Sequence, residues 1–286
     1  MPYGRSTPLL YFNRDALTAA GLDESIFATW STFAENAPAL VGGETEVAFA
    51  YGAGAGYGAW LLQGAVWAFG GHYSDADFNI LIAEPEAVAA GEFFRQSVQD
   101  GWGITTQTHE VDFINKVGAA ILSGSSAIAQ FAEAASFEIG TAFLPEETQF
   151  GCSTGGNGLA ILNTAPQEVQ EAATAYISFL TNTENTTYSS QTTGYMPVRT
   201  SAIESAEEQA FLDANPNNRV SIDQLPLTQP QDSARVFIPN GDGIIGAGWE
   251  EILVNNVPAQ DAFNAVKEQL DEEKVAVLEQ IAAIEG

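Results

Sequence analysis

One cysteine, Cys152, stands in 286 residues. A single thiol forms no intrachain disulfide and no CxxC site. No base sits at a useful spacing to activate it, so a small buried residue is expected there. Histidine is nearly as scarce. His72 and His109 are far apart and belong to no HExxH pattern, so zinc chemistry lacks its usual ligands. Positive charge is scarcer still in proportion: nine Lys and Arg, three of them Lys, face 37 Asp and Glu, for a formal net charge of −28. Such a surface repels nucleic-acid phosphates and anionic membranes, so no nucleic-acid partner is expected. The longest uncharged run, Val47 to Gly71 and beyond, carries glycines and Gln63 that argue against a membrane span. The opening Met1-Pro2-Tyr3-Gly4-Arg5 leads into polar residues and a short strand-like run. It shows no basic segment followed by an apolar one, so no signal sequence is expected in this chain.

The acidic excess is best tolerated where salt screens self-repulsion, since the Debye length falls to about 3 Å at 1 M salt. A halophilic, acid-surfaced protein is the expectation. Thermal melts across a salt series check it: the fold should be lost as salt is withdrawn, and a melting temperature indifferent to salt overturns the halophilic reading.

The apolar pattern alternates strands with helices. Pro8 to Asn13 reads as a strand, and Asp15 to Ala20 as a short helix stopped by Gly21. Ser25 to Leu40 has helical spacing, and Val47 to Tyr51 is strand-like. Tyr51 to Gly71 reads as a glycine-rich turn feeding an aromatic helix. Pro85 to Gly101 is an amphipathic helix with Pro at its first turn. Further strands are expected at Ala119 to Leu122, Phe137 to Leu144 and Leu159 to Leu162. Helices are expected at Ala127 to Ala135, Pro166 to Leu180, Ser205 to Leu212 and from Pro258 onward. The class is α/β.

Few constellations support chemistry. A calcium loop begun at Asn240 would place Ile244 and Ile245 where a ligand and the turn glycine are required, so no metal site is expected. Gly52-Ala53-Gly54-Ala55-Gly56 has Tyr57 where GxGxxG needs its third glycine, and no Walker lysine follows. No G-x-S-x-G elbow is present. Carboxylate pairs of the kind a glycosidase uses say nothing in a chain with 37 acids. Neither a cofactor nor enzymatic activity is expected. Aromatics beside glycines remain: Tyr57, Trp60, Trp67 and Tyr195. Glycine lets backbone approach a ligand, and an aromatic face stacks on a sugar or under a cation. Trp30 and Trp102 read as core, while Trp60 and Trp67 fit stacking and packing equally.

The stretch Thr192-Thr193-Gly194-Tyr195-Met196-Pro197-Val198-Arg199, after a helix with "FL" and "EN" elements, resembles solute-binding proteins of ABC importers. The opening through Asp15, then Gly21-Leu22-Asp23, Thr29 to Ala34, Glu84 to Val88 and Gly155-Gly156 resemble their glycerol-3-phosphate-binding branch, in order along nearly the whole chain. The resemblance implies a two-lobed, type II periplasmic-binding-protein-like fold with a ligand cleft at the hinge. It implies residues 1–154 mainly in lobe two, 155–195 as a strip of lobe one and hinge, and 196–286 returning to lobe two with C-terminal helices. The first lobe would be incomplete here, because the family's opening motif lies well inside its chains. Two family ligand contacts would lie in the part not represented, and this chain alone would bind ligand weakly or not at all.

The resemblance carries ligand contacts onto Ser6, onto the serine-rich turn with Ser123 and Ser125, and onto Gly156 and Tyr195. Tyr57, Trp60, Trp67, Asn240 and Asp242 complete the candidate set. The family's phosphate-meeting arginine falls at or near Gly243, with Arg235 aligning before it. Without that charge a neutral sugar, a polyol or a phosphodiester fits better than glycerol-3-phosphate. The implied protein is an extracytoplasmic monomer that captures a small polar ligand and delivers it to membrane permease subunits. A secreted polysaccharide hydrolase and a sensor-linked binding module are the alternatives.

Overall fold

The computed structural model describes residues 1–52 and 55–285. The centre of the glycine-rich turn, residues 53 and 54, lies outside them. A five-stranded sheet in the order β4-β3-β5-β2-β6 forms the core, from β2 (Pro8–Asn13), β3 (Val47–Gly52), β4 (Gly103–Thr106), β5 (Gly118–Gly124) and β6 (Ile139–Ala142). β3 runs parallel to β4 and β5, whereas β2 runs antiparallel to β5 and β6. Side chains alternate across a strand. Leu10 and Phe12 therefore join the larger core with Trp30, Phe33, Phe94 and Trp249, while Leu9 and Tyr11 join Phe113, Phe131 and Phe137 on the other face. Burying each such side chain stabilises by about 1.5–3 kcal/mol, which fixes the register of β2. Trp30 and Trp102 are core residues, as expected, and Cys152 is fully buried, its thiol pushed up to about 12 by desolvation.

Local chemistry starts and stops the helices. The Asn13 side-chain oxygen Oδ1 accepts from Ala16 N at 3.0 Å, capping the helix Arg14–Ala19 that follows β2. Ser25 to Leu40 is not one helix. Thr29 caps a fresh start at Trp30, and 3-10 turns flank the helix Trp30–Asn36. The aromatic helix Ala55–Ala68 is apolar on most sides and packs between the sheet, the helix Pro85–Gln99 and the helix Gly241–Leu253. No helix among the described residues is long and apolar enough to cross a membrane.

A second, two-stranded sheet pairs β1 (Pro2–Ser6) antiparallel with β7 (Gly155–Gly158). Met196 extends it by exchanging two backbone bonds with Arg5, at 2.8 and 3.4 Å. The strand expected at Leu159 to Leu162 is absent. Those residues run past the end of β1, and Leu162 is 75% exposed. Burial on one face, which would stabilise a strand there, is missing. The helix Gln167–Leu180 is amphipathic in sequence yet buries none of its residues, and Tyr176 and Phe179 are 62% and 58% exposed. A separate helix, Thr183–Thr193, follows it, started by the Asn182 cap and ended by Gly194 in the left-handed region at φ 76°.

Candidate ligand-binding site

A hollow of about 270 Å³ opens where the two sheets meet. Strand ends and turns supply its polar rim. β1 ends at Ser6, β7 brings Gly155 and Gly156, and the end of β5 brings Gly124 and the turn after it Ser126. Gly194 turns the chain so that Tyr195 enters the same hollow, its ring against Gly4. Ser6 and Tyr195 both line this hollow.

Tyr57 and Trp60, one helical turn apart, form an aromatic wall with ring centroids 5.7 Å apart and planes at 30°. The Tyr57 hydroxyl is engaged behind the wall. Gly124 N donates to it at 3.0 Å, it lies 3.1 Å from Ser123 Oγ, and Ser123 Oγ donates to Glu110 Oε1 at 2.5 Å. Desolvation raises the Tyr57 pKa, so the phenol stays neutral and leaves its ring, not its oxygen, to the ligand. Ser123 and Ser125 are buried. Ser123 belongs to this network, and Ser125 donates to Ser6 Oγ at 3.3 Å. Both support the rim from behind.

Trp67 is a correction. It lies two turns deeper along the same helix, fully buried, with its indole N–H on the Asp232 carboxylate at 3.1 and 3.2 Å. It packs and anchors. Asp232 also accepts from Tyr73 N at 2.7 Å and faces His72 Nδ1 at 3.2 Å. That hydrogen bond raises the His72 pKa. Three donors from one region therefore hold the segment that carries Gln231 and Arg235.

The absent arginine is the second correction. Arg235 lies in the wall of the hollow beside Gln231. Its Nη2 donates to Gly56 O at 3.3 Å, its Nη1 to Gln231 Oε1, and Gln231 Nε2 donates to Thr154 O at 2.8 Å. None of the ion pairs among the described residues involves Arg235. Partial burial lowers its pKa from that of a free arginine, and Tyr73 and Asp242 oppose that shift. A half-buried guanidinium with amide acceptors and no contacting carboxylate is suited to a ligand anion. Asn240 and Asp242 line an adjoining hollow of about 470 Å³ that shares Gln231 and Arg235 with the first. Sequence position hid Arg235, because the short helix Ser233–Phe237 and the left-handed turn at Asn240 (φ 55°) bring an earlier residue to the cleft. Among the described residues no cluster of three or more metal-type side chains occurs.

A family profile described as "Bacterial extracellular solute-binding protein" matches residues 1–219. The sn-glycerol-3-phosphate-binding periplasmic protein UgpB of Salmonella typhimurium is 26% identical over 247 residues, 80% of this chain and 55% of that protein. The chain thus spans little more than half the length of that curated relative. UgpB from Mycobacterium tuberculosis, solved in complex with glycerophosphocholine, matches with a TM-score of 0.91 and 39% identity, over 98% of this chain and 71% of that one. The cyclic alpha-maltosyl-1,6-maltose binding protein of Arthrobacter globiformis shares the fold at a TM-score of 0.80 and 20% identity, over 95% of this chain and 71% of its own. The α/β architecture is that of type II periplasmic binding proteins, and this chain belongs to the bacterial extracellular solute-binding protein family.

Proposed function

We propose that this protein captures a glycerophospho-compound for an ABC importer, with the phosphate on Arg235 and the glycerol or headgroup against the Tyr57–Trp60 wall. The observation that carries this reading is a guanidinium without a contacting carboxylate among the described residues, in a chain of 37 acids, set in the same hollow as the stacked Tyr57 and Trp60 rings. Ser6, Ser126 and the amides of Gly155 and Gly156 supply hydrogen bonds to ligand oxygens. A neutral sugar would leave Arg235 desolvated and unpaired, at a cost in affinity. The M. tuberculosis relative, bound to glycerophosphocholine, and the Salmonella relative, named for glycerol-3-phosphate, support the same ligand class.

Capture works by cleft closure. The ligand bridges two lobes, shifts an open–closed equilibrium, and the closed form docks on the permease outside the cytoplasm. Residues 155–195 form a strip of lobe one and the hinge, and the exposed apolar side of the helix Gln167–Leu180 is the surface that the rest of lobe one covers. The protein acts as a monomer without nucleic acid, in keeping with its net charge of −28.

The test is a titration of the isotopically labelled chain followed by amide and indole chemical shifts, which register weak binding. Glycerophosphocholine should move the Gly155 and Gly156 amides and the Trp60 indole, while maltose should not. Equal responses to both, or shifts confined to other faces, overturn the proposal.

A further inference from the structure

We infer that Asp242 tilts this pocket towards singly charged phosphodiesters and against doubly charged phosphate monoesters. The inference rests on the reading of the hollow as a glycerophospho site and names which member of that class it takes. Its basis is the placement of one carboxylate. Gln231 and Arg235 belong to both hollows, and Asp242 lines the second. Arg235 Nη2 donates to the carbonyl of Gly56 in the first turn of the helix Ala55–Ala68. The Asp242 carboxylate lies against the same residue: a Cβ built on Gly56 would sit 2.9 Å from Asp242 Oδ2. Guanidinium and carboxylate thus meet one residue from two directions without coming within ion-pair distance of each other. One N–H on each terminal nitrogen of Arg235 is held by Gly56 O and Gln231 Oε1 and the second on each is left for a ligand, yet the negative potential of Asp242 extends over the subsite.

Asp232, only three positions from Arg235, does not act this way. It is buried and turned to Trp67, Tyr73 and His72, whose donors offset its charge. Asp242 is half-buried, and among the described residues the hydrogen bond it receives is from Gly243 N at 2.9 Å. Its charge is therefore the less compensated of the two.

Coulomb repulsion from a fixed carboxylate scales with ligand charge. A phosphodiester carries one negative charge, whereas a monoester, with its second pKa near 6, carries between about 1.5 and 2 at neutral pH. Asp242 therefore cancels more of the attraction to Arg235 for the monoester than a neutral residue at this position would. At the effective permittivity of a protein surface the difference amounts to about three- to tenfold in relative affinity.

The 286-residue chain and its Asp242→Asn variant are titrated at about pH 7.5, where the monoester is mostly dianionic, with glycerophosphocholine as the diester and glycerol-3-phosphate as the monoester. Asparagine keeps the size of the side chain and an acceptor for the Gly243 N–H. Glu133→Gln removes the same charge from an exposed site away from the pocket. In Asp242→Asn the affinity for the monoester should rise about three- to tenfold more than that for the diester, and Glu133→Gln should leave their ratio unchanged. Equal changes for both ligands in Asp242→Asn, or the same ratio shift in Glu133→Gln, overturn the role of Asp242. If neither probe, raised to millimolar concentration, moves the Gly155 and Gly156 amide shifts of the parent chain, the reading of the hollow itself is overturned.

Discussion

Arg235→Ala should weaken glycerophosphocholine binding by about 10- to 100-fold, the range that hydrogen bonds to a charged group supply. Arg235 reaches the hollow as a planar fork, with its other donors held by Gly56 O and Gln231 Oε1. A phosphate oxygen pair matches that fork, and lysine does not reproduce it. Arg235→Lys should therefore recover only part of the loss. The measurement is the pair of dissociation constants for the diester and for a neutral glycerol or sugar probe. The loss should be confined to the phosphate-bearing ligand. If alanine weakens neutral and anionic probes alike, Arg235 is a structural strut and the phosphate assignment fails.

The second large effect is expected on stability. Gly156 sits at φ +123°, where side chains with a Cβ are strained, and a Cβ there would lie 2.1 Å from the carbonyl oxygen of Gly4 on the paired strand. Gly156→Ala must break the Arg5–Gly156 register or push β1 aside. Backbone strain of this kind costs about 1–3 kcal/mol, and the contact adds to it, so a destabilisation on the order of 2–4 kcal/mol is expected. The function suffers with the fold, because Ser6, Gly155 and Gly156 all hang on this small sheet. Denaturant melts provide the measurement. Gly43→Ala serves as the control, since nothing lies within 4 Å of a Cβ built there. Comparable melts for the two variants would show that β7 yields easily and that its glycines are not structural requirements.

The Tyr57–Trp60–Trp67 stripe separates what sequence decides from what it leaves open. Periodicity places Tyr57, Trp60 and Trp67 on one side of a helix, because three and seven residues return close to the same azimuth at 3.6 per turn. It cannot tell which end of the stripe meets solvent. Trp60 borders the hollow, whereas Trp67, about 10 Å further along the axis, meets a buried carboxylate from residue 232. β7 is hidden at the level of sequence for a related reason. Gly155-Gly156-Asn157-Gly158 has no strand propensity of its own and is a strand only because β1 supplies its partner. Leu159 to Leu162 has the propensity and no partner, and forms none.

The sequence by itself determined the class, the family and five residues that line the hollow, Ser6, Tyr57, Trp60, Gly156 and Tyr195, because those follow from side-chain periodicity and from local motifs carried on single segments. Only the tertiary structure decided that Arg235 lines the hollow, that Trp67 does not, and that Asp242 lines the adjoining one. Each of these depends on contacts between segments up to about 180 positions apart, such as Gly56 with Arg235, and the distance between such segments is fixed by packing that no local pattern encodes.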